Sequence, residues 1–156
     1  MTDSFPILVA EDDPNDVALL RRALAKTGLT GAVRFVSDGR EAIEYLEGHG
    51  RYADRGEFPF PHVIITDLKM PRLNGLELLE WLSSHPECHI IPTILLSGSA
   101  LDEDIVTAYK LGANTYFAKP TNAHDLIALV QSLKDYWSRS QVPVVEGAGV
   151  RIGGRV

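Results

Sequence analysis

The sequence has a single cysteine and no apolar run long enough to cross a bilayer. Cys88 cannot form an internal disulfide, and no spacing of Cys and His residues is typical of a zinc site. A membrane-spanning helix needs about 20 consecutive apolar residues, which no stretch of this chain approaches. The N-terminal residues are acidic and polar, unlike a signal peptide. We therefore expect a cytoplasmic protein without membrane contact.

Positive charge is also scarce, because 15 Lys and Arg residues face 21 Asp and Glu residues, a formal net charge of −6. This balance argues against nucleic acid as a direct partner. The 156 residues, 45% of them hydrophobic, are enough for one domain with a substantial core. Composition therefore predicts an ordinary globular protein and leaves its function open.

Five short apolar runs alternate with five amphipathic stretches along the chain. The runs are residues 5–10, 32–36, 62–66, 92–96 and 114–118. Each is followed by turn residues and then by apolar residues at helical spacing. This alternation predicts a doubly wound, five-stranded parallel sheet with helices on both faces. We assign residues 1–139 to this domain and residues 140–156 to a partly disordered extension.

Polar side chains follow four of the five predicted strands: Glu11 with Asp12, then Asp67, Ser97 and Lys119. The carboxyl ends of parallel strands share one edge of a sheet, so these groups should converge there. Three carboxylates in one crevice repel one another unless a cation lies among them, and Mg²⁺ or Mn²⁺ suits oxygen ligands. This set of side chains favours the binding of a phosphoryl anion between the metal ion and Lys119.

Each feature also has a simpler interpretation. Asp67 could cap the turn that follows its strand, and the acidic run at residues 11–13 could cap the next helix. Ser97 and Lys119 could likewise belong to ordinary turns. We favour a functional site because all four features would otherwise have to coincide at one edge of the sheet.

Over residues 5–137 the chain resembles the receiver domain of two-component response regulators, which has a flavodoxin-like (βα)5 fold. The motifs that carry the resemblance are LVAEDD at residues 8–13, TDLKMP at 66–71, NG at 74–75, LLSG at 95–98, GAN at 112–114 and YFAKP at 116–120. The resemblance implies that Asp67 accepts a phosphoryl group from the phosphohistidine of a sensor kinase. The chain would then act as a signalling switch without an output domain, catalysing only its own phosphorylation and dephosphorylation.

The resemblance also implies the remaining roles at the site. Glu11 and Asp12 are the acidic pair, and Asp12, Asp67 and the backbone carbonyl of Lys69 hold Mg²⁺. Ser97 and Lys119 contact the phosphoryl group. Ser97 and Tyr116 would be the switch residues. Asp13, outside the acidic pair, would cap a helix, and the peptide bond between Lys119 and Pro120 would be cis.

Two alternatives to this switch remain. A haloacid dehalogenase-type phosphatase also forms an aspartyl phosphate, but it needs a second acid two residues after the nucleophile, where this chain has Lys69. A degenerate receiver would act only as a protein-binding module, yet every residue that phosphorylation needs is present.

Two stretches exceed a minimal receiver: the loop at residues 49–61 and the segment from residue 135 onward. Both resemble single-domain regulators that serve bacterial phytochrome histidine kinases, so a bacteriophytochrome is the expected partner. Apolar bulk at Ile127, Tyr136, Trp137 and residues 142–145 predicts a homodimer, unless this segment folds back on its own domain.

Overall fold

A computed structural model describes residues 5–29, 33–99, 101–146 and 149–153 of the chain. Its main sheet consists of strands β1 (Ile7–Ala10), β2 (Val33–Val36), β3 (Val63–Thr66), β4 (Thr93–Ser97) and β5 (Thr115–Ala118). The strands are parallel and lie in the order β2-β1-β3-β4-β5. The predicted doubly wound sheet is therefore confirmed.

Six α-helices are found in the described part of the chain, one more than the sequence pattern predicts. They are α1 (Pro14–Lys26), α2 (Gly39–Glu47), α3 (Gly75–Ser83), α4 (Pro86–His89), α5 (Asp102–Lys110) and α6 (Ala123–Arg139). The additional helix, α4, is a single turn, too short to produce a helical hydrophobic pattern.

Alternate residues of each strand point to opposite faces of the sheet. Ile7 and Val9 of β1 therefore pack with α1 and α6, whereas Leu8 of the same strand packs with α2 and α3. A smaller apolar cluster lies between α3 and α5, around Leu95 and Ala108. Because β1, β3 and β4 are covered on both faces, all of their residues are buried and their carboxyl ends are held rigidly.

Polar side chains cap α1, α2, α3 and α6 at the carboxyl edge of the sheet, whereas α5 begins after Leu101 without such a cap. Asp13 accepts a hydrogen bond from the backbone N–H of Asn15 at 2.8 Å, and Pro14 occupies the first helical position of α1. Asn74 and Glu77 form a reciprocal capping box at the start of α3. The capping role predicted for Asp13 is therefore confirmed.

The loop between α2 and β3 is ordered by aromatic packing and by one arginine. Tyr52, in a 3₁₀ turn at Gly50–Tyr52, is buried against Tyr45 and Phe58. Arg55 donates to the backbone carbonyls of Tyr45 and Leu46, both at 2.8 Å, and so satisfies the last turn of α2. This long loop, residues 49–61, is thus packed against the domain as an ordered flap.

The C-terminal segment contains strands β6 (Val142–Glu146) and β7 (Gly149–Gly153), which pair as an antiparallel hairpin. The division at residue 139 and the partial disorder of residues 140–156 stay predictions, and residues 154–156 lie outside the described part of the chain. Val142 and Trp137 are buried in the core of the domain, with Trp137 beside Phe5 at a ring separation of 5.5 Å. The beginning of the segment therefore folds back on its own domain. Among the described residues, no helix is both long and apolar enough to cross a membrane.

Candidate functional site

Asp67 is the first residue after β3 and lies at the carboxyl edge of the sheet. Its backbone N–H donates to the carbonyl of Ala10 at 2.9 Å, which continues the pairing of β3 with β1 by one step. Its carboxylate oxygen Oδ1 accepts from the N–H of Leu68 at 2.7 Å. The residue is only 8% exposed. The carboxylate is therefore fixed at the strand end with one edge open to the crevice.

The chain turns sharply after Asp67 because Gly75 approaches it closely. The N–H of Gly75 donates to the carbonyl of Leu68 at 2.8 Å, and a Cβ atom at Gly75 would lie 2.3 Å from the carbonyl oxygen of Asp67. Only glycine fits this contact. The close approach joins the ends of the loop at residues 68–74 and keeps Asp67 at its base.

The lysine that follows β5 reaches the carboxylates of three acidic residues. Its ammonium nitrogen, Lys119 Nζ, lies 3.0 Å from Asp67 Oδ2, 3.2 Å from both carboxylate oxygens of Glu11 and 2.8 Å from Asp16 Oδ2. Burial disfavours the charged ammonium, but the hydrogen bonds to Asp16 and Asp67 outweigh it and raise the pKa of Lys119. Lys119 is therefore a permanent cation beside Asp67.

Asp16 was not among the residues that the sequence predicted for the site. It lies in the first turn of α1, four residues after Asp12, and so faces the same edge of the sheet. An acidic residue in a first helical turn ordinarily balances the helix dipole, which gave no reason to single it out. Its spacing from Asp12 was the available signal.

The acidic group predicted from sequence assembles as expected. One carboxylate oxygen from each of Glu11, Asp12 and Asp67 lies within 4.8 Å of the others. Glu11 is buried, and burial together with the neighbouring Asp67 raises the pKa of Glu11 to about 8. Asp12 is exposed and shares a surface groove with Lys69. This set of hard oxygen donors around one point fits Mg²⁺ or Mn²⁺.

Ser97 and Tyr116 are connected through Ser99. Ser97 is the last residue of β4 and is buried, and its hydroxyl accepts from the N–H of Ser99 at 3.1 Å. The hydroxyl of Tyr116, on β5, donates to the carbonyl of Ser99 at 2.8 Å. Both side chains thus hold the same residue of the loop between β4 and α5.

The prediction of a cis bond before Pro120 is wrong, since the described residues contain no cis peptide. The trans form is favoured even before proline. Lys119 reaches Asp67 with a trans bond, so the cis geometry is unnecessary for this contact.

The sequence profile of the response regulator receiver domain matches residues 7–131. The chain belongs to the response regulator receiver family. Its predicted membership, fold and signalling class are thereby confirmed. As a receiver, the protein is a phosphoaccepting component of two-component signalling.

Several single proteins are similar over most of their length. Response regulator RPA3017, in red light signalling of R. palustris, is 32% identical with a TM-score of 0.82, covering 90% of this chain and 99% of that one. The phosphorylated cyanobacterial phytochrome response regulator RcpA is 33% identical with a TM-score of 0.79, covering 86% and 94%.

Two curated relatives complete the comparison. The probable methanogenesis regulatory protein FilR2 of Methanothrix harundinacea is 33% identical over 86% of this chain and 84% of its own length. Response regulator Rcp1 of Synechocystis is 30% identical over 84% and 87%. A Mn²⁺-bound structure of Rcp1, 29% identical, has a TM-score of 0.79 and covers 88% of this chain and 98% of its own. The predicted divalent cation cofactor, Mg²⁺ or Mn²⁺, is confirmed by membership in the receiver family together with the cluster of Glu11, Asp12 and Asp67.

Proposed function

We propose that Asp67 is the residue that accepts the phosphoryl group. The observation that carries this proposal is the contact of 3.0 Å between Asp67 Oδ2 and Lys119 Nζ, beside the oxygens of Glu11 and Asp12. A carboxylate that will carry a dianionic group needs cationic partners on several sides, since phosphoryl transfer depends on positioning and charge neutralisation. Among the site residues, Asp67 combines a strand end, an open edge and a lysine partner.

Asp12, Asp67 and the backbone carbonyl of Lys69 would hold Mg²⁺, with Glu11 completing the acidic pair. When bound, the cation would supply a second positive charge at the Asp67 carboxylate, in addition to that of Lys119. Support comes from the clustering of the three carboxylates and from the groove that Asp12 and Lys69 share.

The transfer itself needs only this arrangement and a phosphohistidine of a kinase. An oxygen of the Asp67 carboxylate forms a bond to phosphorus as the bond from phosphorus to the histidine nitrogen breaks, and the imidazole takes the electron pair. Hydrolysis of the resulting acyl phosphate returns the carboxylate and inorganic phosphate. Lys119 neutralises charge on the phosphoryl oxygens. We propose that the protein has no separate substrate and catalyses only these two reactions.

We propose that the response to phosphorylation passes through Ser99. A phosphoryl group on Asp67 attracts the hydroxyl of Ser97 as a hydrogen-bond donor, which draws it away from the N–H of Ser99. The hydrogen bond of Tyr116 to the carbonyl of Ser99 would then also break, and the ring would turn inward. The surface of α5, β5 and α6 would change as a result.

A bacteriophytochrome histidine kinase is the partner that we propose, which would place both proteins in the cytoplasm. Support comes from the similarity to two proteins. RPA3017 is described as a response regulator in red light signalling, and RcpA as a phytochrome response regulator. The packed flap at residues 49–61 and the C-terminal hairpin are the structural features beyond a minimal receiver. FilR2, of similar identity, belongs to a different regulatory system, so the kinase must be tested directly.

Incubation with acetyl phosphate and Mg²⁺, followed by intact mass measurement, tests the proposed reaction. We expect the mass of one phosphoryl group to be added, and EDTA to prevent the addition. An unmodified mass would instead support the degenerate, protein-binding receiver. Transfer from a panel of labelled histidine kinases, compared at early times, then identifies the partner, and a phytochrome kinase should react fastest.

We also propose a homodimer through the surface formed by α5, β5 and α6. Tyr136 is 68% exposed on α6, and Val106 and Tyr109 are exposed on α5. Trp137 and Val142, which contributed to the sequence-based prediction, are buried within the domain and cannot contribute to an interface. The proposal therefore depends on Tyr136 and on the hairpin beyond Val142.

A further inference from the structure

The loop at residues 68–74 is fastened at its far end to the start of α2. The carbonyl of Leu73 accepts from the N–H of Gly39 at 2.9 Å. Beside this bond, Arg72 Nε donates to Asp38 Oδ2 at 2.7 Å. Because Gly75 closes the base of the same loop, both ends are fixed while Lys69 lies between them. These two attachments join the loop that follows Asp67 to the neighbouring β2–α2 connection.

Arg72, which forms one of these attachments, has an unfavourable backbone conformation. Arg72 has φ of 62°, the only positive value among the described residues other than glycine. Glycine and asparagine adopt this left-handed region more readily than arginine. In arginine the Cβ atom comes too close to the backbone, which makes the conformation unfavourable. In this conformation the guanidinium of Arg72 makes its ion pair with Asp38.

Asp38 is built to receive that guanidinium. Its side chain is 6% exposed, and its other oxygen, Oδ1, accepts from the N–H of Glu41 at 2.8 Å to cap α2. Burial alone would raise the pKa of Asp38, but the hydrogen bonds from Arg72 and Glu41 lower it below its ordinary value. The carboxylate is buried and has two donors, the backbone N–H of Glu41 and the guanidinium of Arg72, whose own side chain is 58% exposed.

Gly39 makes the backbone contact possible. A Cβ atom at this position would lie 2.5 Å from the carbonyl oxygen of Leu73 and 2.4 Å from a methyl carbon of the same residue. The two loops therefore approach too closely for a Cβ atom at position 39, and a side chain there would push them apart.

From this geometry we propose that the Arg72–Asp38 pair positions the carbonyl of Lys69 for the divalent cation. The inference rests on the proposed function, in which that carbonyl is a metal ligand. Arg72 does not touch the metal, so it is a positioning residue that acts through three residues of backbone. A fixed carbonyl binds a cation more tightly than one that must be ordered on binding, because the ordering cost is already met in the folded protein.

The proposal predicts weaker Mg²⁺ binding when Arg72 is replaced, whereas electrostatics alone predicts tighter binding. The direction of the change in affinity therefore tests the proposal. Removing a positive charge near a cation site should strengthen cation binding. We expect Arg72→Gly to raise the dissociation constant for Mg²⁺ by on the order of tenfold, the lower end for partners that orient metal ligands. Arg72→Ala should lose the same affinity, although glycine tolerates the positive φ and alanine does not. Equal losses therefore separate the ion pair from backbone strain.

Two further variants complete the design. Arg40→Ala removes an exposed charge from the same helix start, where Arg40 pairs only loosely with Glu44 at 4.0 Å, and should leave Mg²⁺ binding unchanged or slightly tighter. Asp38→Asn keeps an oxygen to cap α2 but loses the charge. In that background Arg72→Gly should have little additional effect, since coupled residues are not additive.

The measurements are Mg²⁺ titration by calorimetry, hydrogen exchange of metal-free protein, and phosphorylation by acetyl phosphate at several Mg²⁺ concentrations. We expect faster exchange at Gly39 and Leu73, a higher Mg²⁺ requirement, and a rate at saturating Mg²⁺ within about twofold of the parent protein. Unchanged or tighter Mg²⁺ binding in Arg72→Gly overturns the inference. If the parent protein itself gains no phosphoryl group, the proposed function fails instead.

Discussion

The ammonium nitrogen of Lys119 lies closer to the carboxylate of Asp16, at 2.8 Å, than to that of Asp67, at 3.0 Å. The two acids nevertheless occupy different settings. Asp67 is buried at the end of β3, whereas the side chain of Asp16 is 35% exposed in the first turn of α1. One lysine thus has an inner and an outer carboxylate partner, which provides a matched pair of substitutions.

Asp67→Asn should abolish phosphorylation, and Asp16→Asn should retain it. Without metal, removing Asp67 relieves its repulsion with Glu11 but loses a lysine contact, so we expect a stability change between zero and a gain of about 1 kcal/mol. The loss of the more exposed partner in Asp16→Asn should cost about 0.2–1 kcal/mol. Intact mass and urea unfolding measure the two effects. A phosphoryl group on Asp67→Asn would show that another residue is the acceptor.

Mg²⁺ should stabilise the protein through Asp12 and not through Asp13. A ligand present at 100 times its dissociation constant adds about 2.7 kcal/mol to the free energy of unfolding. Asp12→Ala should remove this gain because its carboxylate is one of the clustered three.

Asp13→Ala is the matched control for that substitution. Asp13 caps α1 by accepting from Asn15, so its loss should cost about 1 kcal/mol with or without metal while most of the Mg²⁺ gain persists. Thermal unfolding with Mg²⁺ and with EDTA distinguishes these patterns. Equal losses of the Mg²⁺ gain in both variants would mean that the acidic pair has been assigned one position too early.

The raised pKa of Glu11 should make the metal-free protein less stable as pH rises. The ordinary value of 4.5 describes the unfolded chain, and burial beside Asp67 raises the pKa of Glu11 to about 8 in the folded protein. Between these values the folded state binds more protons than the unfolded state, so the free energy of unfolding falls with increasing pH and levels off above about 8. The decline attributable to this group should be at most about 5 kcal/mol, since each tenfold change in a proton-binding constant corresponds to about 1.4 kcal/mol.

Urea unfolding in EDTA between pH 5 and about 9 measures this slope. Glu11→Gln should flatten it, because the amide does not titrate. Glu44→Gln, whose side chain is 43% exposed on α2, serves as the control and should keep the parental slope. The assignment fails if Glu11→Gln and the parent protein show the same pH dependence.

The sequence predicted the strand ends well because a parallel sheet brings them to one edge whatever the loops do. Asp67 and Lys119 could therefore be paired across 52 residues from the alternation of strands and helices. Asp16 escaped prediction because an acid in the first turn of a helix ordinarily balances the helix dipole. Arg72 escaped it because its contact depends on a loop path and on one positive φ, which leave no periodic pattern. Trp137 was ambiguous because the same apolar residue suits a core or an interface, and only the fold of the following segment decides between them.

The homodimer prediction can now be tested at a single residue. Tyr136 is 68% exposed whereas the adjacent Trp137 is 2% exposed, so a substitution at Tyr136 alters the surface without opening the core. Tyr136→Arg should convert a micromolar dimer to a monomer, since a charge at the centre of a two-fold interface meets its own copy. Leu19→Arg, at a 40% exposed position on α1, is the matched control and should remain dimeric.

Truncation after Pro143 keeps Val142 in the core and removes the rest of the hairpin. By sedimentation velocity, a full-length monomer rules out the dimer, and a dimer that survives both Tyr136→Arg and the truncation places the interface elsewhere.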